Sequence, residues 1–451
     1  MSEAHPETKG PAARVARATT WLVAGRVWAA VCALLTTWLL TEHLSLADLG
    51  RFTFYLAVLA LAKSVGDLGT GQVLVQRTSH DESSIPLELS AARRVRGVTS
   101  AFAASAVALY FWLSGEGDPL WLALAALHPL TYLLELSSTV YKNRITWAVP
   151  VGARVLASGL VLFSVWALGR AGVDRPAVFL TAQVGCHLVA NVALHLAARR
   201  HLQPRPSGAA PWRSLLKVAL PLGVAGLCQQ TYHHADHFLI RWLLSDEALG
   251  LYSIAFRFLS VGIMVALFAT TAALPLLASA NRGGTLAKEH ARYARPLAFG
   301  AGLGCGLAFP WCSEVLGIFG PEFTAAAGAM RWMLLSCVAI HFGALQMTSL
   351  VACGKTKLVF GVAAAALVVD LGLNLWLLPT RGIEGAAIAR ACTELFVAGW
   401  ARLALTRCGV PLRATPALTC VFGAALLFLL GAALSAQLPL EGLFDAIQRG
   451  E

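Results

Sequence analysis

Charged residues are scarce in this chain of 451 residues, since Asp, Glu, Lys and Arg together make up only 13% of it. Soluble domains carry about 25% charged residues. With a hydrophobic content of 57%, too few charges remain to cover a water-facing surface. The composition therefore excludes a soluble enzyme, a disordered chain and a nucleic-acid-binding protein. The formal net charge of +11 is better explained by basic loops on one side of a membrane.

Motifs for covalent chemistry are also missing. No Cys-x-x-Cys occurs among the ten cysteines, and those that stand singly in apolar runs behave as small hydrophobic residues, so no disulfide framework is indicated. The segment nearest to a phosphate-binding loop, CGKTK from Cys353, has Ser349 where glycine is needed. We therefore expect no enzymatic activity, no cofactor and no metal, and a protein that moves or holds something.

Long apolar runs are what the sequence does have. A bilayer crossing needs about 20 apolar residues in helical form. The sequence therefore predicts an all-α polytopic bundle of 12 to 14 transmembrane helices, with a best count of thirteen. The predicted spans are 18–41, 52–76, 97–114, 120–141, 146–169, 176–198, 215–244, 248–280, 294–313, 324–352, 357–379, 382–406 and 415–436. The odd count leaves the last helix, in an extra segment 407–451, without an evident partner.

Basic residues concentrate in alternate loops. If the N-terminus is cytoplasmic, 23 of the 35 Lys and Arg residues fall in cytoplasmic segments and five in outer segments. The positive-inside rule predicts this bias, and one miscounted helix would invert it in the rest of the chain. The charge pattern therefore predicts a cytoplasmic N-terminus. It also assigns Arg93, Arg94 and Arg96 to a cytoplasmic segment.

The basic, Pro-rich stretch 199–214 separates two similar halves. WLLTEHLSLADLGRFTFY and WLLSDEALGLYSIAF share Trp-Leu-Leu, a short acidic loop, Leu-Gly and an aromatic-rich helix start. Both loops face outward in the predicted topology, which indicates a parallel repeat of about six helices. We predict an N-terminal lobe over 1–198, a cytoplasmic linker over 199–214 and a C-terminal lobe over 215–406.

Twelve charged residues remain at depth within the predicted spans. A charge at the centre of a membrane helix costs about 2.5–3.5 kcal/mol on insertion scales, so each needs a water-filled cavity or a partner. Two pairs have i,i+4 spacing and are expected to neutralise each other locally: Lys63 with Asp67, and Arg390 with Glu394. Such a pair could equally lock helix packing or serve transport. The full set is Arg26, Lys63, Arg154, Arg241, Arg257, Arg331 and Arg390, with Asp67, Glu135, Asp236, Asp370 and Glu394.

Five of the basic residues have no such spacing. Arg241 and Arg331 lie near outer helix ends, where we expect them to reach the interface. Arg26, Arg154 and Arg257 have no acidic residue three or four positions away on their own helix. They need a partner on another helix, water or an anionic ligand, and we favour a cationic cavity over a structural role.

The seventh predicted span carries a polar stripe, GLCQQTYHHADHFLIRW, that cannot face acyl chains. His233, Asp236 and His237 have workable spacing for a metal, but nothing else in the sequence supports a metal. Because histidine titrates near physiological pH, proton or cation coupling through these residues is more plausible. A structural hydrogen-bond stripe is about as plausible. The further candidates for coupling are Asp67, Asp370 and Glu394.

Five segments, taken in their order and spacing, carry a family resemblance. They are LSLADLGRFTFYLAVLALAKSVGDLGTGQVLVQR from Leu44, DHFLIRWLLSDEALGLYSIAFR from Asp236, FGPEFTAAAGAMRWML from Phe319, LVACGKTK from Leu350 and LNLWLLPTRGIEGAAIA from Leu373. Together they resemble the Wzx-like bacterial oligosaccharide-lipid flippases. These belong to the multidrug/oligosaccharidyl-lipid/polysaccharide (MOP) superfamily, with MATE drug exporters and lipid II flippases. The resemblance reaches to about Arg407.

The resemblance implies two six-helix lobes that open alternately around a cationic cavity. It implies a flippase that moves an undecaprenyl-pyrophosphate-linked oligosaccharide, a surface polysaccharide or O-antigen repeat unit, across the bacterial inner membrane. In relatives, basic residues on helices one, two and eight face the cavity, and Arg26, Lys63 and Arg257 occupy those helices here. The implied partners are membrane lipids, a coupling cation or proton, and polysaccharide polymerase or export machinery. No nucleic acid is implied.

Two other cargoes remain open on the sequence. A MATE-type exporter of small cations should have an acidic cavity, whereas the buried basic residues outnumber the acidic ones here. Lipid II as the cargo is compatible with everything above. A non-transporting scaffold has no need for the three arginines Arg26, Arg154 and Arg257.

Overall fold

The computed structural model describes residues 11–78, 82–115, 118–144, 146–201 and 212–411. In these ranges the chain forms α-helices with short turns and 3₁₀ segments between them, and no strand, which confirms the predicted all-α fold. The helices are α1 (Pro11–His43), α2 (Leu46–Asp67), α3 (Thr70–Thr78), α4 (Ile85–Leu113), α5 (Pro119–Glu135), α6 (Thr139–Asn143), α7 (Ala148–Arg170), α8 (Pro176–Arg199), α9 (Trp212–Leu243), α10 (Asp246–Arg282), α11 (Leu286–Ala308), α12 (Cys312–Gly317), α13 (Ala327–Ala352) and α14 (Thr356–Thr406).

Within the described ranges, nine helical stretches are long and apolar enough to cross a bilayer. The protein is therefore a multi-pass membrane protein. The helices α9 and α11, where the sequence predicts the spans 215–244 and 294–313, are not among the nine, because polar side chains lower their hydropathy. The predicted span 415–436 and the rest of 412–451 lie outside the described residues.

The longest helix, α14, has 51 residues and is sharply bent at Gly382 (φ 57°, ψ −144°). A positive φ favours glycine, which has no Cβ to clash with the backbone. Pro379 lies three residues before the bend and removes one backbone donor. The bend divides α14 into an arm over 356–381 and an arm over 383–406, which agrees with the predicted pair of spans 357–379 and 382–406.

The chain divides into two compact units. Unit 1 comprises Met1–His43 and Tyr55–Gln230, and unit 2 comprises Leu44–Phe54 and Thr231–Glu451. In unit 1, α7 packs on α1 and α8, and α5 packs on α8; in unit 2, α13 packs on α10, α11 and α14. Most of the predicted linker, over 202–211, lies outside the described residues, and the predicted lobe boundaries stay a prediction.

The single span predicted over 52–76 is wrong. The helix α2 ends at Asp67, and the backbone reverses at Leu68 (φ 42°) and Gly69 (φ 75°) before α3 begins. The reversal is packed against α9, because a Cβ on Gly69 would lie 2.7 Å from the Ala219 carbonyl oxygen and one on Gly223 would lie 2.5 Å from the Leu68 carbonyl carbon. Two glycines thus let two backbones approach within unit 1.

The start of α4 also differs from the sequence prediction. The helix α4 begins at Ile85, well before the predicted position 97, and Pro86 lies in its first turn, where a missing backbone donor has no cost. Arg96 is therefore helical and buried. The helix α10 is continuous over 37 residues despite Pro275, and at about 55 Å long it exceeds the apolar core of a bilayer.

The Leu-Gly pair that marks the sequence repeat, Leu49-Gly50, packs against its counterpart, Leu249-Gly250. Both pairs lie in unit 2. A Cβ on Gly50 would collide with the Asp246 carbonyl oxygen and lie 3.1 Å from the Gly250 nitrogen. Asp246 also accepts a hydrogen bond from Arg51 Nε at 3.1 Å. The repeat therefore reflects a close contact between the first turns of α2 and α10, which only glycine permits.

Candidate functional site

The polar stripe predicted on the seventh span forms a buried ionic centre in unit 2. Asp236 on α9 is 0% exposed. Its carboxylate accepts hydrogen bonds from Arg390 Nε at 3.1 Å and Nη2 at 2.9 Å, and from the hydroxyl of Tyr252. The Nδ1 atom of His237 lies 2.9 Å from its other oxygen. The buried carboxylate of Asp236 is therefore hydrogen-bonded at both oxygens, which stabilises its ionised form.

Arg390, on the second arm of α14, is the counter-ion of Asp236. Its Nη2 also donates to the carbonyl oxygens of Tyr232 at 3.3 Å and His233 at 3.1 Å. The predicted local pair of Arg390 with Glu394 is wrong, since Glu394 accepts a hydrogen bond from the Tyr232 hydroxyl instead. Spacing on one helix did not predict this geometry, because a fork-shaped guanidinium satisfies more acceptors on the facing helix.

Asp370 lies on the first arm of α14 and is 0% exposed. Neither of its carboxylate oxygens has a hydrogen-bond partner among the described residues. Its backbone carbonyl accepts from Asn374 Nδ2 at 2.9 Å, while Asn374 Oδ1 is also left without a partner. Asp370 interacts electrostatically with Arg390, Asp236 and Glu394. The structure thus brings together four of the predicted coupling side chains, His237, Asp236, Asp370 and Glu394.

The remaining histidines pack beside this centre. The ring of His233 lies 5.0 Å from the ring of His234, and the ring of His234 lies 5.4 Å from that of His237. Phe256 on α10 covers His233 and His237, with ring centroids 5.3 and 4.5 Å away. In the described part of the chain, no set of three or more His, Cys, Asp or Glu residues is arranged to hold a metal ion.

Unit 1 has a different arrangement of charges around α2. Lys63 is half exposed and donates to Glu135 Oε2 on α5 at 2.8 Å. Asp67 pairs with Arg96 on α4, so the predicted local pair of Lys63 with Asp67 is wrong. Arg96 also donates to the Tyr132 carbonyl at 2.6 Å. Asp67 therefore belongs to a contact between α2 and α4 within unit 1.

Other basic side chains of unit 1 act on one another. Arg26 on α1 is repelled by Arg154 on α7. Lys142 interacts electrostatically with Glu135, Arg154 and Lys63. The helices α1 and α7 touch closely here, because a Cβ on Gly25 would collide with the Val151 side chain next to this pair. We call Arg26, Lys63, Lys142 and Arg154 the basic cluster of unit 1.

Arg257 on α10 is the predicted substrate-binding residue that lies in unit 2. It is half-buried, and among the described residues no hydrogen bond or ion pair forms at its side chain. Arg241 differs, because it pairs with Asp246 at 2.9 Å and lies 4.1 Å above the ring of Phe54. Arg331 is exposed, and the expectation that Arg241 and Arg331 reach the interface stays a prediction.

The sequence patterns overlooked Tyr232, Tyr252, Asn374 and Arg96. Tyr252 lies in the aromatic-rich helix start of the repeat, and Tyr232 lies in the polar stripe itself. Their hydroxyls bind carboxylates on other helices, which a pattern along one helix does not reveal. The hydroxyl of a tyrosine within a predicted span needs a hydrogen-bond partner when it is buried. This is the signal that could have identified Tyr232 and Tyr252.

Two family models match the chain. One, described as polysaccharide biosynthesis protein, matches residues 15–281, more than half of the sequence. The other, described as MatE, matches residues 221–376. None of the curated proteins matches the sequence significantly.

Solved structures share the fold at low sequence identity. The lipid II flippase MurJ in an inward closed conformation is 11% identical and has a TM-score of 0.75, with 94% of this chain and 98% of that chain covered. An inward-facing multidrug resistance MATE family transporter of the MOP superfamily is 17% identical, with a TM-score of 0.66 over 85% of this chain and 96% of that chain. A MOP superfamily transporter from Pyrococcus furiosus, described as having a binding pocket of reverse polarity, is 16% identical, with a TM-score of 0.65 and coverages of 88% and 96%.

Proposed function

The chain belongs to the polysaccharide biosynthesis protein family and has the fold of MOP superfamily flippases and transporters, and we propose that it is a flippase for a lipid-linked oligosaccharide. The cargo is an undecaprenyl-pyrophosphate-linked repeat unit of a surface polysaccharide. It moves from the cytoplasmic to the outer leaflet of a bacterial inner membrane by alternating access. The N-terminus lies in the cytoplasm, as the distribution of basic residues predicts.

The position of Arg26 and Arg154 on two packed helices, α1 and α7, is the observation that carries this proposal. Basic side chains that lie near one another and near the apolar part of a membrane bind an anion favourably. A pyrophosphate carries several negative charges on adjacent oxygens, and a guanidinium group binds such oxygens in pairs. The close contact of α1 and α7 at Gly25 holds together the two helices that carry these side chains.

The other proposed substrate-binding residues are available for the same role. Lys63 is 49% exposed at its side chain although it pairs with Glu135, so its ammonium group has further donors to offer. Arg257 has donors without acceptors among the described residues. We propose that Lys63 and the Arg26–Arg154 pair of unit 1 contact the pyrophosphate and the first sugars, while the lipid tail stays in the bilayer. Arg257 of unit 2 is proposed separately as a contact for the cargo.

The test is glycan export in cells that depend on this protein for it. Arg26→Ala and Arg257→Ala are each expected to abolish export of the surface glycan, with lipid-linked precursor accumulating and the protein level unchanged by immunoblot. The control is Arg292→Ala, which removes an arginine whose side chain is 73% exposed and should leave export intact. Export at the wild-type level by both test variants would refute the proposed cationic binding site.

A charge-retaining substitution separates charge from geometry. Arg257→Lys keeps the positive charge and loses the fork of paired donors. Partial export is expected if charge alone attracts the cargo, and almost none if bidentate binding of phosphate is required. The measurement is the same export assay at matched expression.

We further propose that transport is coupled to a proton or cation gradient through the ionic centre of unit 2. The residues assigned to coupling are His233, Asp236, His237, Asp370 and Glu394. Asp67, assigned to coupling by its position in the sequence, is more consistent with the structural contact to Arg96.

Two other cargoes have a specific observation in their favour. The MatE match over residues 221–376 favours an exporter of small cations, and the fold of the lipid II flippase favours lipid II. Export of a cationic dye in vesicles that depends on Asp236, together with normal surface glycan in a deletion strain, would favour the first. Rescue of a strain depleted of its lipid II flippase would favour the second.

A further inference from the structure

Unsatisfied polar atoms concentrate around Asp370 in unit 2. Among the described residues, both carboxylate oxygens of Asp370, the side-chain oxygen of Asn374 and the Nη1 group of Arg390 are buried and lack a hydrogen-bond partner. Three of these groups are acceptors and one is a donor. Buried polar groups in native proteins are nearly always paired. This cluster of unpaired groups therefore indicates a place where a proton or a cation is bound and released.

The two aspartates of the centre have opposite surroundings. Asp236 accepts from Arg390, Tyr252 and the backbone nitrogen of His237, so its ionised form is stabilised. Asp370 is 0% exposed, and among the described residues its oxygens have no donor in hydrogen-bond contact; the nearby Thr393 hydroxyl donates to the Ala389 carbonyl instead. An ionised carboxylate in such a position costs several kcal/mol, and binding a proton removes that cost.

The balance of charges around Asp370 also indicates that it binds a proton. The carboxylates that face Asp370 are Asp236 on α9 and Glu394 on α14, and the cation that faces it is Arg390. On the other packed elements, Tyr252 of α10 binds Asp236, His233 and His237 of α9 lie beside it, and Cys337 of α13 faces Glu394. Three carboxylates surround one guanidinium group, so protons must neutralise the excess while the centre stays buried.

We propose that Asp370 carries an exchangeable proton and that Arg390 is a built-in cation that moves toward Asp370 when this proton leaves. The inference rests on the proposed coupling function and names the residue that carries the ion. Asp370 releases the proton to water, and its new negative charge attracts the unpaired Nη1 group of Arg390. That movement weakens the hydrogen bonds of Arg390 to Asp236 and to the α9 carbonyls of Tyr232 and His233. Proton release therefore changes how α9 and α14 are joined.

Arg390 also decides which ion the centre accepts. The oxygens of Asp236, Asp370 and Asn374 are hard ligands of the kind that Na⁺ or another hard cation would take. A guanidinium group already binds Asp236 through two nitrogens and occupies the position of such a cation. The wild-type centre therefore takes up a proton and excludes a metal cation. Removing the guanidinium group should expose a site for Na⁺.

Infrared difference spectroscopy of the purified full-length protein in lipid tests the proton. The carbonyl stretch of a protonated carboxylic acid is expected in the wild type at low pH, shifted in D₂O and lost as the pH rises. One component of this band should disappear in Asp370→Asn, persist at a changed frequency in Asp370→Glu and survive in Glu394→Gln, which removes only the separate component of Glu394. A band in which Asp370→Asn removes no component would overturn the proposal.

Thermal unfolding in NaCl, KCl or choline chloride tests the cation. The wild type should show the same midpoint in all three salts, whereas Arg390→Met should be less stable in choline and regain stability in NaCl. Arg390→Lys keeps a cation at the site and should show no preference for Na⁺. Stabilisation of the wild type by Na⁺ over choline, or no stabilisation of Arg390→Met, would overturn the built-in cation. Neither experiment involves a cargo, so wild-type glycan export by Arg26→Ala and Arg257→Ala would refute the proposed function without touching these results.

Discussion

The pair of Asp236 and Arg390 allows a quantitative test, because both side chains are only 1% exposed. Asp236→Asn removes the carboxylate that binds the buried guanidinium group through two nitrogens, and Arg390→Met leaves the Asp236 carboxylate buried without its counter-ion. Breaking a buried pair from one side costs about 3–5 kcal/mol. Each single variant is therefore expected to lose that much free energy of unfolding, although Asn and Met conserve the volume.

The double variant Asp236→Asn/Arg390→Met should lose much less than the sum. It contains neither an unpaired carboxylate nor an unpaired guanidinium group, and neutral replacements of buried ion pairs are often well tolerated. We expect a coupling energy of about 2–3 kcal/mol between the two sites. Reversible unfolding in mixed micelles, followed by circular dichroism, provides the four free energies of the cycle.

Lys63 and Glu135 are the matched control pair. Their nitrogen-to-oxygen distance of 2.8 Å is close to that of the buried pair, but their side chains are 49% and 36% exposed. Solvent screens such a pair, and its coupling energy should be below about 1 kcal/mol. Additive effects at Asp236 and Arg390, or equal coupling in both pairs, would contradict the view that desolvation makes the unit 2 centre sensitive.

Two further predictions concern unit 1. Gly223→Ala should lower the free energy of unfolding by about 1–3 kcal/mol, since its Cβ would lie 2.5 Å from the Leu68 backbone, whereas Gly226→Ala on the same helix meets nothing within 4 Å. Chemical unfolding of both variants checks this, and equal stability would refute the tight crossing. Arg96→Met should cost about 3 kcal/mol because it leaves the Tyr132 carbonyl and Asp67 without their buried donor; the solvent-exposed variant Arg94→Met should cost under about 0.5 kcal/mol in the same assay.

The sequence predicted the fold well because the membrane imposes simple rules on it. Apolar runs of sufficient length, bounded by basic loops, correspond to helices from α5 to α8 within a few residues. The division of α14 was also predicted, because the run LLPTRGIEG contains proline, charge and glycine. The break at Leu68 was missed because the residues after Gly71 are again apolar, and composition alone does not reveal a reversal caused by a close helix crossing.

The partners of the charged residues could not be predicted in the same way. Spacing of four residues brings Arg390 near Glu394, but the side chain turns to Asp236 on another helix. Lys63 likewise donates to Glu135 on another helix and not to Asp67. Which helix faces which is a property of tertiary packing, whereas a local pattern reports only one face of one helix. Of the residues predicted to lie at depth, Asp236, Asp370, Arg390 and Glu394 are buried within the protein.

Asp370 and Arg390, the two groups proposed to interact when the proton leaves, lie on the two arms of α14, which are joined by the bend at Gly382. Asp370 precedes Gly382 by three turns, Arg390 follows it by two, and no loop intervenes. Apart from its own neighbours in the chain, no atom lies within 4 Å of where a Cβ on Gly382 would be, so the torsion angles of that residue can change without a clash at that position. A rotation there would change the distance between Asp370 and Arg390.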